Sequence, residues 1–162
     1  MSSGTSIGAS PPTRTASPFL ALGSAGLFPF VAGAVALWTL PHAYEPYVLQ
    51  WLLGYAMVIL AFVGALHWGV AMQAQEPTHA NLWIAAVWSV IPALVAWLAL
   101  AFESAVALRI LAGMFLLQLA MDRWLTQNFS TPAWYLPLRI VLTVVAVVSL
   151  LVASFAGFGN AA

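Results

Sequence analysis

Polar residues in this chain fall in short clusters separated by long apolar runs, and the runs set the architecture. A membrane-spanning helix needs about 20 consecutive, mostly apolar residues. Five stretches meet that length: 19–40, 47–73, 81–102, 105–125 and 134–157. Pro41, Glu45 and Pro46 close the first, Gln75, Glu76 and Pro77 the second, and Glu103 with Ser104 compresses the turn before the fourth. Gln127, Asn128, Ser130, Thr131 and Pro132 form the most polar connection. Connections this short force successive helices to run antiparallel. The expected fold is therefore all-α, an up-and-down integral membrane bundle of five transmembrane helices over residues 18–158. Residues 1–17, rich in Ser, Thr, Pro and Gly, read as a disordered N-terminal tail.

Composition sharpens this picture. Of 162 residues, 64% are hydrophobic and 5% charged, against about 25% charged in a soluble domain. Four Arg, no Lys and four acidic residues give zero net charge, which offers nucleic acid no basic surface. The lack of Cys excludes disulfides and thiolate metal sites. Arg14, Arg123 and Arg139 flank one side of the bundle and Arg109 the other, so the positive-inside tendency puts the N-terminus in the cytoplasm. Trp38, Trp51 and Trp97 fall near one interface, and Trp83, Trp124 and Trp134 near the other.

Ionisable side chains inside hydrocarbon cost about 2.5–3.5 kcal/mol each on insertion scales, so those within the spans call for partners. In the antiparallel order, His67, Ser89, Gln118, Asp122 and Arg139 share the leaflet nearer the N-terminus. Asp122 and Arg139 lie on consecutive helices and can form an ion pair, with Arg123 the alternative cation. Gln118 and Asp122, four apart, share a helical face. This cluster reads either as a clamp between helices or as a polar pocket.

His67 follows Gly64 by one turn, and a glycine there admits a neighbouring helix or a flat ligand. It can hydrogen-bond across helices, relay a proton, or ligate a tetrapyrrole metal. His42 and His79 lie in connections on opposite sides and cannot complete a bis-His haem, although Met57, Met72, Met114 or Met121 offer a weak second ligand. The expected cofactor is none, with a tetrapyrrole the alternative. Pro29, Pro92 and Pro137 fall inside predicted spans and are expected to kink them, with Ser89 satisfying a carbonyl that Pro92 frees. The chain carries no HExxH, GxSxG or Walker motif and no pair of intramembrane carboxylates, so a non-enzymatic role is expected.

The runs Phe62-Val-Gly-Ala-Leu-His67-Trp68-Gly69, Trp88-Ser89-Val-Ile-Pro92, Leu116-Leu-Gln118 followed by Asp122, and Pro132-Ala-Trp134-Tyr135-Leu-Pro-Leu-Arg139 together resemble the bacterial membrane family known as domain of unknown function 3429. Its eukaryotic relatives are called transmembrane protein 69. The resemblance covers about residues 19–155 and implies an inner-membrane protein, mitochondrial in eukaryotes, with no established activity. The architecture alone is also similar to the tryptophan-rich sensory proteins, which bind tetrapyrroles and sterols. The leading functional expectation is an accessory or assembly component of a larger, energy-transducing membrane complex. A carrier or sensor of a hydrophobic ligand and a proton or ion pathway are the alternatives.

Overall fold

The computed structural model describes residues 17–74 and 77–156, and these are helical with short connections and no strand. The helices are α1 (Ser17–Ala25), α2 (Phe28–Thr39), α3 (Glu45–Met72), α4 (His79–Ala99), α5 (Ser104–Asn128) and α6 (Tyr135–Ser154), with a 3-10 turn at His42–Tyr44 before α3. Counting α1 and α2 as one interrupted span, five segments are long and apolar enough to cross a membrane. The reading of residues 1–16 as a tail, together with Arg14, Gln75 and Glu76, lies outside the described residues; Ser17 already belongs to α1.

The first span departs from expectation because it is two helices. Pro29 is in the first turn of α2, where its missing N–H is tolerated. That same missing donor, with the clash of its ring, prevents α1 from continuing past Ala25, four residues earlier. Gly26 and Leu27 form the turn, and the Tyr55 hydroxyl on α3 donates to the Gly26 carbonyl at 2.8 Å. Pro137 likewise sits in the first turn of α6 and does not kink it. Of the three prolines expected to bend helices, Pro92 alone is internal, in α4.

Packing follows chain order and closes into a ring. α2 packs on α3, α3 on α4, α4 on α5 and α5 on α6, while α6 returns to α2; α3 and α5 also touch across the middle. Trp38 Nε1 on α2 donates to the Val152 carbonyl on α6 at 3.1 Å, which ties the first and last spans. α1 packs against α6, with Gly23 against Leu138 and Leu142. The core is built from Phe30, Leu60, Leu108, Leu111, Phe115 and Leu150. Large apolar side chains such as Trp51, Trp97 and Val144 point outward, as lipid-facing surfaces require.

At one point the α3–α4 crossing is limited by backbone. A Cβ on Gly64 would come within 2.9 Å of Pro92 Cγ and 3.0 Å of the Ser89 carbonyl oxygen. The space that Gly64 opens is thus filled by α4 and not by a flat ligand.

A buried polar cluster beside a lateral cavity

The polar residues meet where α3, α5 and α6 converge near the end of the bundle that holds the 129–134 connection. Asp122 is fully buried on α5 and is the hub. Arg139 Nε donates to Asp122 Oδ2 at 2.6 Å, and the Tyr135 hydroxyl donates to Oδ1 at 3.0 Å. Both donors come from the first turns of α6, four residues apart and so on one helical face. Gln118, one turn before Asp122, donates to Oδ1 at 3.2 Å.

The amide orientation of Gln118 is set from outside the cluster. The indole N–H of Trp88 can only donate, and it bonds Gln118 Oε1 at 2.9 Å. Gln118 Nε2 therefore faces inward, toward Asp122 and toward His67 Nδ1 at 3.2 Å. Receiving that bond, His67 Nδ1 holds a lone pair, so the ring proton of the neutral side chain is on Nε2. This nitrogen faces Asp122 Oδ1 at 3.8 Å, beyond hydrogen-bond range, and has no partner. His67 is fully buried within this network and does not line the neighbouring cavity, a position that gives a tetrapyrrole ring no room over it.

Four of the five candidate residues, His67, Gln118, Asp122 and Arg139, come together. Ser89 does not join them. Its hydroxyl bonds the Ala86 carbonyl at 2.7 Å, so it neither reaches the cluster nor satisfies the Trp88 carbonyl that Pro92 leaves without a donor. Its neighbour Trp88 and Tyr135 are the members that sequence reasoning missed. Arg123 is exposed, so the choice of Arg139 as partner for Asp122 is settled by geometry.

That pairing also changes the count behind the orientation. Arg139 is 6% exposed and spends its charge on Asp122. Among the described residues one exposed Arg remains at each end, Arg123 and Arg109, the latter bonded to Ser154 and lying over the Phe155 ring.

Beside the cluster is a cavity of about 520 Å³. It exists because α3 and α6 do not pack closely on each other and α1 leans on α6 across the gap. Phe62, Val63 and Leu66 of α3 wall one side, and Leu138, Leu142 and Ala146 of α6 the other. Phe19 of α1 stacks on Trp134, ring centroids 5.1 Å apart, and both rings line the cavity. The polar contribution comes from Tyr135, Arg139 and Thr143. Among the described residues, Arg139 Nη2 and Thr143 Oγ1 are buried without hydrogen-bond partners. Ser89, Thr126 and Ser154, in contrast, bond carbonyls one turn back on their own helices.

A second cavity of about 790 Å³ lies at the chain connections, with Gln73, Thr78, Asn81, Asn128, Ser130 and Thr131 among its walls. Leu66 and Tyr135 line both cavities and stand between them.

A small polytopic α-helical membrane protein with a charged, self-paired centre at one level is what these observations define. The family model described as "Protein of unknown function (DUF3429)" matches residues 15–155, and the chain belongs to that family. It is 38% identical over 133 residues to transmembrane protein 69 of Xenopus tropicalis, covering 82% of this chain and 52% of that protein. Against transmembrane protein 69 of Mus musculus it is 30% identical over 135 residues, covering 83% and 54% respectively. The chain thus spans about half the length of these curated relatives. No solved structure matches it, and the architectural likeness to the tryptophan-rich sensory proteins gains no support there.

Proposed function

We propose that this protein is a non-enzymatic binder, carrier or sensor of a membrane-resident small molecule that enters the lateral cavity between α1, α3 and α6. One observation carries this reading: an apolar cavity of about 520 Å³ lined by two residues, Arg139 and Thr143, each of which keeps a buried polar atom without a partner among the described residues just behind the wall. Its volume is in the range of about 300–1,000 Å³ typical of small-molecule sites, and a few polar groups in an apolar wall is the usual composition of such sites. The Asp122–Arg139 pair holds α5 and α6 in register beside it.

The competing roles draw less from the geometry. An ion path needs polar groups across the whole thickness, whereas the other half of the bundle is filled by Leu108, Leu111, Ala112 and Leu150. An accessory or assembly role would use the outward faces of the helices, and these are as well suited to lipid as to a partner protein. The inner-membrane setting and a cytoplasmic N-terminus complete the proposal. Because the chain has no Cys, a single Ser130→Cys tests the orientation, with labelling expected from the cytoplasmic side; labelling only from the opposite side refutes it.

The binding test is purification in mild detergent followed by solvent extraction and mass spectrometry. A defined hydrophobic compound is expected with the parent protein, and much less of it with Leu142→Trp, whose indole would occupy the cavity. Retention of only bulk membrane lipids, unchanged by Leu142→Trp, overturns the reading.

A further inference from the structure

We infer that the ligand is an uncharged, flat ring ketone of the quinone type, its carbonyl oxygen accepting from Arg139 Nη2 and the Thr143 hydroxyl once these buried groups turn toward the cavity their side chains line, and its apolar tail leaving toward lipid. This rests on the cavity being a binding site. Three observations narrow the chemistry.

The first is the pair of free donors. Arg139 and Thr143 are one turn apart on α6, 6% and 1% exposed, and each has a buried polar atom with no partner among the described residues. A buried polar group without a partner carries a desolvation penalty that a bound acceptor removes. Guanidinium N–H can only donate and a hydroxyl can donate, so the complementary group is an acceptor oxygen.

The second is charge. The Asp122 carboxylate already neutralises Arg139 through the 2.6 Å bond to Nε, and the Gln118 contact makes His67 Nδ1 an acceptor, consistent with a neutral imidazole. A carboxylate or phosphate head would add one uncompensated negative charge beneath the bilayer surface, where unpaired charge is costly. A cationic head would face Arg139. The acceptor is therefore uncharged, as a carbonyl is.

The third is the wall. Phe19, Phe30, Phe62, Phe115, Trp134 and Tyr135 line the cavity. Aromatic side chains hold flat conjugated rings by stacked and edge contacts, which a flexible acyl chain does not reproduce. The wall thus favours a ring carbonyl over the ester carbonyl of a glycerolipid.

Equilibrium binding to the full chain in nanodiscs separates the possibilities. The probe is a tritiated benzoquinone with a decyl tail; the competitors are its ring analogue with methyl groups in place of the carbonyls, palmitate, and a dioctanoyl glycerol ester. A brominated alkane, read as quenching of Trp134 by difference from Trp134→Phe, reports entry of any apolar molecule. The quinone is expected to bind about tenfold more tightly than its carbonyl-free analogue and more tightly than palmitate or the ester. Thr143→Val should remove about three- to tenfold of the quinone's affinity and leave the analogue's unchanged, with Thr143→Ser restoring it. In the parent protein, the isotope-edited carbonyl stretch should move to lower frequency on binding, a readout that does not depend on any variant folding. If the alkane quenches Trp134 but the quinone has no advantage over its analogue, or palmitate or the ester binds best, the ligand assignment is wrong while the cavity reading stands. If neither the alkane nor the quinone enters, both fall together.

Discussion

Helix α3 has two flanks built in opposite ways. Toward α4 it presents Gly64, and the helices approach until Pro92 and the Ser89 carbonyl occupy the place of the missing side chain. Toward α6 it presents Phe62, Val63 and Leu66, and the helices stay apart around the lateral cavity. In a bilayer no hydrophobic force drives helices together, because lipid is as apolar as Leu, so close approach has to be arranged by small residues and polar contacts. The α4 flank has the small residue. At the α6 flank the polar contacts are diverted: Arg139 and Tyr135 reach Asp122 on α5 and not α3. The gap is therefore a consequence of where the polar bonds go, and not of poor packing in general.

The largest expected effect comes from the hub that both flanks share. Asp122→Ala leaves Arg139 buried without its counter-charge and should cost about 3–5 kcal/mol, read as a lower midpoint in detergent unfolding. The double change Asp122→Leu with Arg139→Met removes both charges and should recover most of that loss; no recovery would mean that the pair does more than neutralise itself.

Next comes the tight flank. Gly64→Ala should destabilise by about 1–3 kcal/mol, the usual cost of overpacking. Adding Pro92→Ala, which removes the nearest atom, should return part of it. A neutral Gly64→Ala would show that α3 and α4 are not in close contact and would end the contrast between the flanks. A smaller loss of about 0.5–1.5 kcal/mol is expected from Trp88→Phe, which deletes the hydrogen bond to Gln118 Oε1. The smallest effect belongs to the open flank: Leu142→Trp meets open space on its cavity side and Gly23 of α1 on the other, so it should change stability by less than about 1 kcal/mol, while abolishing retention of the compound that the proposed site would hold. A large loss there would mean that the cavity is not open space.

Much of this was readable from the chain, because hydrocarbon as solvent leaves few options. Twenty-residue apolar runs have to be spanning helices, and boundaries such as Glu45–Met72 and Ser104–Asn128 lie within a few residues of the breakers that announced them. His67, Gln118, Asp122 and Arg139 were recognisable since polar groups at one depth must find one another. The interruption of the first span was not. Pro29 carried the signal, yet a proline midway through an apolar run reads equally as a kink or as the first turn of a new helix, and the Tyr55 bond to the Gly26 carbonyl belongs to the second arrangement. Ser89 stays outside the cluster because depth alone does not fix azimuth: its hydroxyl bonds the Ala86 carbonyl on its own helix, while Trp88, one residue round, does reach the cluster. Tyr135 could have been found, since it lies four residues before Arg139 and shares its face. The cavity had no sequence signature, as it depends on the separation of α3 and α6, which are far apart in the chain.

Closure of the ring by its first and last spans has a consequence for biogenesis. During synthesis Asp122 leaves the ribosome ahead of both of its α6 partners, and Phe19 must await Trp134 across more than a hundred intervening residues. Until α6 has inserted, the carboxylate has only the Gln118 amide on its own helix and the His67 ring for company, and the mouth of the cavity has no far wall. A nascent chain arrested after α5 would therefore be the form most exposed to quality-control proteases, and the proposed site would be complete only after translation of the last helix.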